Sequence, residues 1–222
     1  MIGAATTLAT LEAATPIQRL AGGILSRTAR VSAPLQIRNR ATIGGILATA
    51  SPAADILPAL LALDASVMMA ESNGRRRMPL REFFRGPRQT ALNGSLIIEI
   101  LIPPSPRGPA AWAYRKLSRL DRDLPTANAV AGLGLDKQGR TKWARLALGS
   151  VGPTVLRMDA AEKLLEGQPL TASLLDQATV LVDGDVHPVD DVRASAAYRR
   201  AMSRVLARRA LADCVAQLGR TL

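Results

Sequence analysis

Apolar residues recur with two periods along this chain. Ile17, Leu20, Ala21, Ile24 and Leu25 fall three or four positions apart and predict a helix over 17–29, weakened by Gly22 and Gly23. A short helix is predicted from Leu8. Asp55 stands before the apolar run 56–63, with Pro58 tolerated in the first turn, and predicts another. Strands are predicted at 65–69 and 76–79, joined by an Asn73-Gly74 turn, and at 96–102, where Ile97, Ile98, Ile100 and Ile102 dominate. The proline-rich stretch 103–109 breaks the pattern and sets a boundary between two units, 1–106 and 109–222. Beyond it, 111–116, 127–135 and 141–149 read as strands, with turn chemistry at 136–139. Segments 158–165, 172–182 and 193–218 read as helices, the last with a drifting apolar stripe. The fold class is therefore α+β, and its second unit is a small antiparallel sheet covered by helices.

Composition narrows the chemistry. The 222 residues are 48% hydrophobic and 21% charged, which is globular, and only six are aromatic, so the core is mostly Ala, Val, Leu and Ile. One cysteine excludes an internal disulfide, a Cys-ligated zinc site and an iron–sulfur cluster held by this chain alone. One histidine, His187 in a loop-like Asp-Val-His-Pro setting, removes most histidine-based hydrolysis and metal binding. No catalytic group and no metal site are expected. The net charge of +11 invites a nucleic-acid reading. The basic residues are interleaved with acids, however, and lack an aromatic stacking platform. No nucleic acid is expected; a solvated basic face, or one docking on acidic partner subunits, fits better. No apolar run is long enough to span a bilayer, and the start lacks a signal peptide's features, so a cytoplasmic protein is expected.

Three motifs carry candidate chemistry. Thr42-Ile43-Gly44-Gly45 can bring backbone N–H groups close to a phosphate, with hydroxyls from Thr42 and Thr49. The small residues at 50–54 would let a flat ligand lie against the chain, and Asp55 can accept from a ribityl or ribose hydroxyl. Gly132, Gly134 and Gly139 lack the spacing of a dinucleotide fingerprint and fit a hairpin turn. The charge-dense segment 114–123 reads either as a solvated loop or as one in which Lys116, leaving a strand, reaches an electron-rich ligand such as a flavin edge.

Ordered blocks then suggest a family. They are Ile-Gly-Ala-Ala-Thr-Thr at 2–7, Ile-Arg-Asn-Arg-Ala-Thr-Ile-Gly-Gly at 37–45, Ala-Ser-Pro-Ala-Ala-Asp at 50–55 and Phe-Phe-Arg-Gly-Pro-Arg-Gln-Thr at 83–90. Ile-Leu-Ile-Pro at 100–103, Tyr-Arg-Lys-Leu-Ser-Arg at 114–119, Ala-Leu-Gly-Ser-Val at 147–151 and Asp-Val-Arg-Ala-Ser-Ala-Ala-Tyr-Arg-Arg at 191–200 follow. Together they resemble the FAD-binding medium subunit of the molybdenum hydroxylases, the family of xanthine dehydrogenase and aerobic carbon monoxide dehydrogenase. The resemblance implies the second lobe of a vanillyl-alcohol-oxidase-type FAD domain, then a CO dehydrogenase flavoprotein C-terminal domain. It implies an oxidoreductase subunit that passes electrons from the [2Fe–2S] clusters of a small partner subunit, through FAD, to an acceptor, beside a large molybdopterin subunit. It places Thr42, Ile43, Gly44 and Gly45 at the FAD phosphates, Asp55 at the polyol or adenosine side, Ile97 against the cofactor and Lys116 near the isoalloxazine. Ile46 stands where the family usually has Asn. The family's first FAD lobe has no counterpart among these blocks, which implies a separate chain carrying it, a truncated product, or a docking remnant that binds flavin weakly or not at all.

Overall fold

Thr7 opens the first helix: its hydroxyl accepts from the Thr10 N–H, and α1 runs over Leu8–Ala13. The computed structural model describes residues 1–120 and 122–222; Asp121, within the charge-dense segment, lies outside the described residues. After β1 (Ile2–Gly3) and α1 come α2 (Thr15–Arg19), a 3-10 turn (Leu20–Gly23), α3 (Ile24–Val31), α4 (Leu35–Arg38), α5 (Ile43–Thr49) and α6 (Ile56–Ala62). The helix expected over 17–29 is broken. Ala21, Gly22 and Gly23 all take positive φ (47°, 59° and 76°), so the glycine pair ends one helix and starts another at a new angle.

Strands β2 (Ser66–Glu71) and β3 (Gly74–Pro79) form the expected hairpin. The segment α7 (Leu80–Phe83), β4 (Phe84–Gly86) and β5 (Gln89–Thr90) leads to β6 (Leu96–Leu101). The first sheet has the order β1-β6-β2-β3 and is antiparallel throughout; β1, too short to show a period, was not anticipated. Past the prolines come β7 (Ala110–Leu117), β8 (Ala127–Leu135), β9 (Thr141–Gly149), β10 (Leu156–Arg157), α8 (Asp159–Leu165), α9 (Ala172–Val180), α10 (Val182–Asp185) and the 22-residue α11 (Ala196–Gln217). The second sheet has the order β10-β9-β8-β7, also antiparallel. Among the described residues, no helix is long and apolar enough to cross a membrane.

The second sheet has two covered faces, and every residue of β8 is buried. Ala129, Ala131, Leu133, Leu146 and Leu148 point to one side, under α8, α9 and α11. Val130, Trp112, Trp143 and Ala147 point to the other and join the core of the first half, against α3 and α6. Polar ties follow the same seam: Arg27 donates to the Trp112 carbonyl (2.6 Å), and Arg145 and Arg157 both reach Asp64 (3.1 and 2.8 Å).

Gly132 and Gly134 are not turn residues. They lie inside β8, and only Gly139 is in the turn. The reason is aromatic bulk: the two tryptophan rings, 5.5 Å apart, lie across the strand where side chains would otherwise stand. A Cβ on Gly132 would come within 2.6 Å of Trp112, and one on Gly134 would overlap the Trp143 indole. Gly134→Ala should therefore destabilise the protein by about 1–3 kcal/mol, as overpacking does. Gly184→Ala, at a helical position with nothing near its Cβ, should leave the midpoint of urea unfolding in place or raise it. Equal midpoints for the two variants would refute this account of the tryptophan layer.

Candidate functional site

Thr42 has an extended backbone, and its hydroxyl accepts from the Gly45 N–H (3.1 Å), so the segment expected to be a phosphate loop is the capped start of α5. The first amides of the helix are spent within the chain. Ile43 N–H donates to the Thr6 carbonyl (2.9 Å), Gly44 N–H to the Ala4 carbonyl (2.9 Å) and Ile46 N–H to the Thr42 carbonyl (3.0 Å). The turn after β1 runs alongside and collects them; that turn is held in its place by Ala4 N–H donating to the Ile98 carbonyl of β6 (2.9 Å).

The two glycines differ in what they do. A Cβ on Gly44 would stand 2.7 Å from the Ala4 Cβ and 2.8 Å from its carbonyl oxygen, so Gly44 is required for backbone-to-backbone approach. Gly45 is exposed, has no positive φ, and its Cβ would meet only the Thr42 hydroxyl, at 3.1 Å. Its open side faces a cleft of about 420 Å³. Thr42, Gly45, Ile46 and Thr49 line that cleft together with Arg40 and Ser51. The Thr49 hydroxyl donates to the Gly45 carbonyl (2.8 Å), which leaves its oxygen lone pairs free to accept. Ile43 is fully buried in the core beneath.

Asp55 and Lys116, assigned separate tasks by the resemblance, are partners. Lys116 Nζ lies 3.1 and 3.2 Å from the two carboxylate oxygens and also donates to the Val31 carbonyl (3.1 Å). The Tyr114 hydroxyl donates to Asp55 Oδ1, and Asn128 Nδ2 donates to the Tyr114 oxygen (3.3 Å). The Asp55 side chain is 1% exposed, so it makes no helix-capping bond and does not face the cleft. Burial pushes its proton affinity above the ordinary carboxylate range, with Lys116, Tyr114 and Asn128 pulling it back. Burial also drives the Tyr114 hydroxyl well above its usual range, and the Asp55 charge adds to this. The phenol therefore keeps its proton and serves as a fixed donor. Ile97 sits in β6 opposite Met69, inside the first-half core and outside the cleft lining.

The structure thus brings Thr42, Gly45, Ile46 and Thr49 to one cleft, Asp55 and Lys116 to one buried pair behind it, and Ile43, Gly44 and Ile97 to the packing beneath. Arg40, Tyr114 and Asn128 had no task assigned from sequence, whereas Ser51 belongs to the small-residue stretch 50–54 expected against a flat ligand. For Tyr114 the signal was present: it stands two residues before Lys116 on a strand and so shares its face. Asn128 is visible only through register, directly across from Lys116.

Two family models match in order: the FAD binding domain in molybdopterin dehydrogenase over residues 1–105, and the CO dehydrogenase flavoprotein C-terminal domain over residues 112–214. The chain is 36% identical over 193 residues to the alpha subunit of the 6-hydroxypseudooxynicotine dehydrogenase complex of Paenarthrobacter nicotinovorans, covering 86% of this chain and 65% of that one. It thus spans somewhat less than two thirds of that relative's length. It is 33% identical over 198 residues to the carbon monoxide dehydrogenase medium chain of Hydrogenophaga pseudoflava, covering 88% and 68% of the two. A solved structure of carbon monoxide dehydrogenase from Hydrogenophaga pseudoflava superposes with a TM-score of 0.91 at 32% identity, covering 96% of this chain and 74% of that chain. The chain belongs to the FAD-binding medium subunits of the molybdenum hydroxylase family of oxidoreductases.

Proposed function

We propose that residues 1–222 form one wall of the FAD site in the flavoprotein subunit of a cytoplasmic molybdenum-containing dehydrogenase, with 1–106 and 109–222 as its two units. In this reading a large molybdopterin subunit oxidises the substrate and a small subunit carries [2Fe–2S] clusters. The other wall of the site belongs to residues outside 1–222, on this or a separate chain. The observation that carries the proposal is Gly45. Its backbone angles do not demand a glycine and a Cβ would crowd only the Thr42 hydroxyl, at 3.1 Å, yet it leaves bare backbone in a cleft wall flanked by hydroxyls and Arg40. A bulky phosphate-bearing ligand needs such an approach.

The residues present fit the cofactor on that side. Thr42 and Thr49 offer hydroxyls, Arg40 offers positive charge, and Ile46 and Ala54 offer apolar contact. FAD, when bound, supplies the electron acceptance and donation. The chain's own residues orient it and hold the wall rigid. Asp55 and Lys116 act from behind, pinning the segment 50–54 against the second sheet; Ser150 N–H adds to this by donating to the Pro52 carbonyl (2.8 Å).

A second reading, a docking subunit without flavin, draws on different facts. The first amides of α5 are all used internally, and Asp55 and Lys116 neutralise each other. Purification of the chain with its large and small subunits separates the two. Visible flavin absorption and release of equimolar FAD on denaturation support the first; a colourless complex that still transfers electrons supports the second. Gly45→Ala sharpens the test. Replacing an exposed helical glycine favours the helix but crowds the capping Thr42 hydroxyl, so the melting temperature should change little, while flavin affinity falls by about tenfold as the methyl group enters the cleft. Lower stability with unchanged flavin content would show that Gly45 serves the fold instead.

A further inference from the structure

Basic side chains also gather at a second place. A cleft of about 760 Å³ lies where the proline linker, the β8–β9 turn, the start of β9 and the end of α11 meet. Arg107, Lys137, Lys142 and Arg220 stand around it, one from each of these four elements, over apolar surface from Pro109, Leu135 and Leu218. The Arg220 guanidinium lies directly on Gly139, where a Cβ would come within 2.7 Å of it.

Among the described residues none of the four cations meets a carboxylate. Asp136 also lines the cleft; its Oδ1 accepts from the N–H groups of Gln138 and Arg140 (2.9 and 2.8 Å), and its single charge leaves the four cations in excess. The groove between α9 and α11 shows the contrast. Its arginines are answered within the chain, Arg208 by Asp176 (2.5 Å) and Arg204 by Asp183 (3.3 Å).

We propose that this cleft is the docking site for an acidic segment of a partner polypeptide, one that alternates carboxylates with apolar side chains. Charge complementarity gives the sign, since four cations against one carboxylate, in a chain of net charge +11, call for further carboxylates. Geometry separates a polypeptide from a phosphate. The N–H groups of Gln138, Gly139 and Arg140 already donate to Asp136, so no nest of N–H groups converges on one anion. The cations are distributed around apolar surface, which suits an extended chain with two kinds of side chain. This surface does not depend on whether the chain holds flavin.

The test uses the full chain and a fluorescently labelled peptide of mixed Glu and Leu, read by anisotropy at low and moderate salt. Saturable binding that weakens with salt, and that is lost when Gln replaces Glu in the peptide, is expected. The pair K137E and K142E should weaken it by about tenfold, whereas R75E and R77E, at exposed positions of β3, should change it by less than about twofold. Melting curves check that both double variants are folded. Absence of saturable binding, equal binding of the Gln peptide, equal loss from both charge reversals, or displacement by pyrophosphate at matched charge would each overturn the proposal. The salt, Gln-peptide and pyrophosphate arms need only the parent protein, so they decide even if a variant fails to fold.

Discussion

A carboxylate held out of water needs a compensating charge, and the geometry of this molecule turns on how Asp55 obtains one. Asp55 belongs to the first half; its cation and its hydroxyl donor belong to β7 of the second. Removing one partner of such a buried pair costs about 3–5 kcal/mol, because the remaining charge is left unpaired. The pair therefore adds less to net stability than it does to position: it penalises any arrangement of the halves other than this one. Lys116 also reaches the Val31 carbonyl at the end of α3, so a single ammonium ties three segments together. The cleft beside α5 owes its shape to this tie, although the tied groups face away from it.

Much of this was legible along the chain. The runs expected as strands at 127–135 and 141–149 coincide with β8 and β9; β8, buried on both faces, is a nearly continuous apolar run bounded by turn residues. Asp55 and Lys116 were both singled out, but as ligand contacts. Nothing local tells a lysine on a strand that its partner lies 61 positions earlier. Thr42 to Gly45 showed the residues of a phosphate loop and turned out to be a helix start, because the deciding fact is non-local: the carbonyls of Ala4 and Thr6 lie alongside. Gly132 and Gly134 fall in the strand expected at 127–135, but the reason they are glycine was hidden in a related way. Glycine marks a turn when the backbone must bend and a flat place when a neighbour must lie down, and the neighbours here are two tryptophans on flanking strands.

The site is divided in the same way. Most residues that line the cleft, Thr42, Gly45, Thr49 and Ser51 among them, were identifiable by type as small or hydroxylic; Arg40 was not. Residues that hold the cleft in shape, Tyr114 and Asn128, were identifiable only by alternation and strand register, which need the sheet to be known first.

The doubly covered second sheet has a consequence for how the molecule comes apart. The two matched families meet at the prolines, yet the layer of Trp112, Val130, Trp143 and Ala147 is shared property. Severed there, either piece would present a bare greasy face to water. Two matched family models thus share one packed layer, and a layer shared in this way couples the unfolding of one side to that of the other.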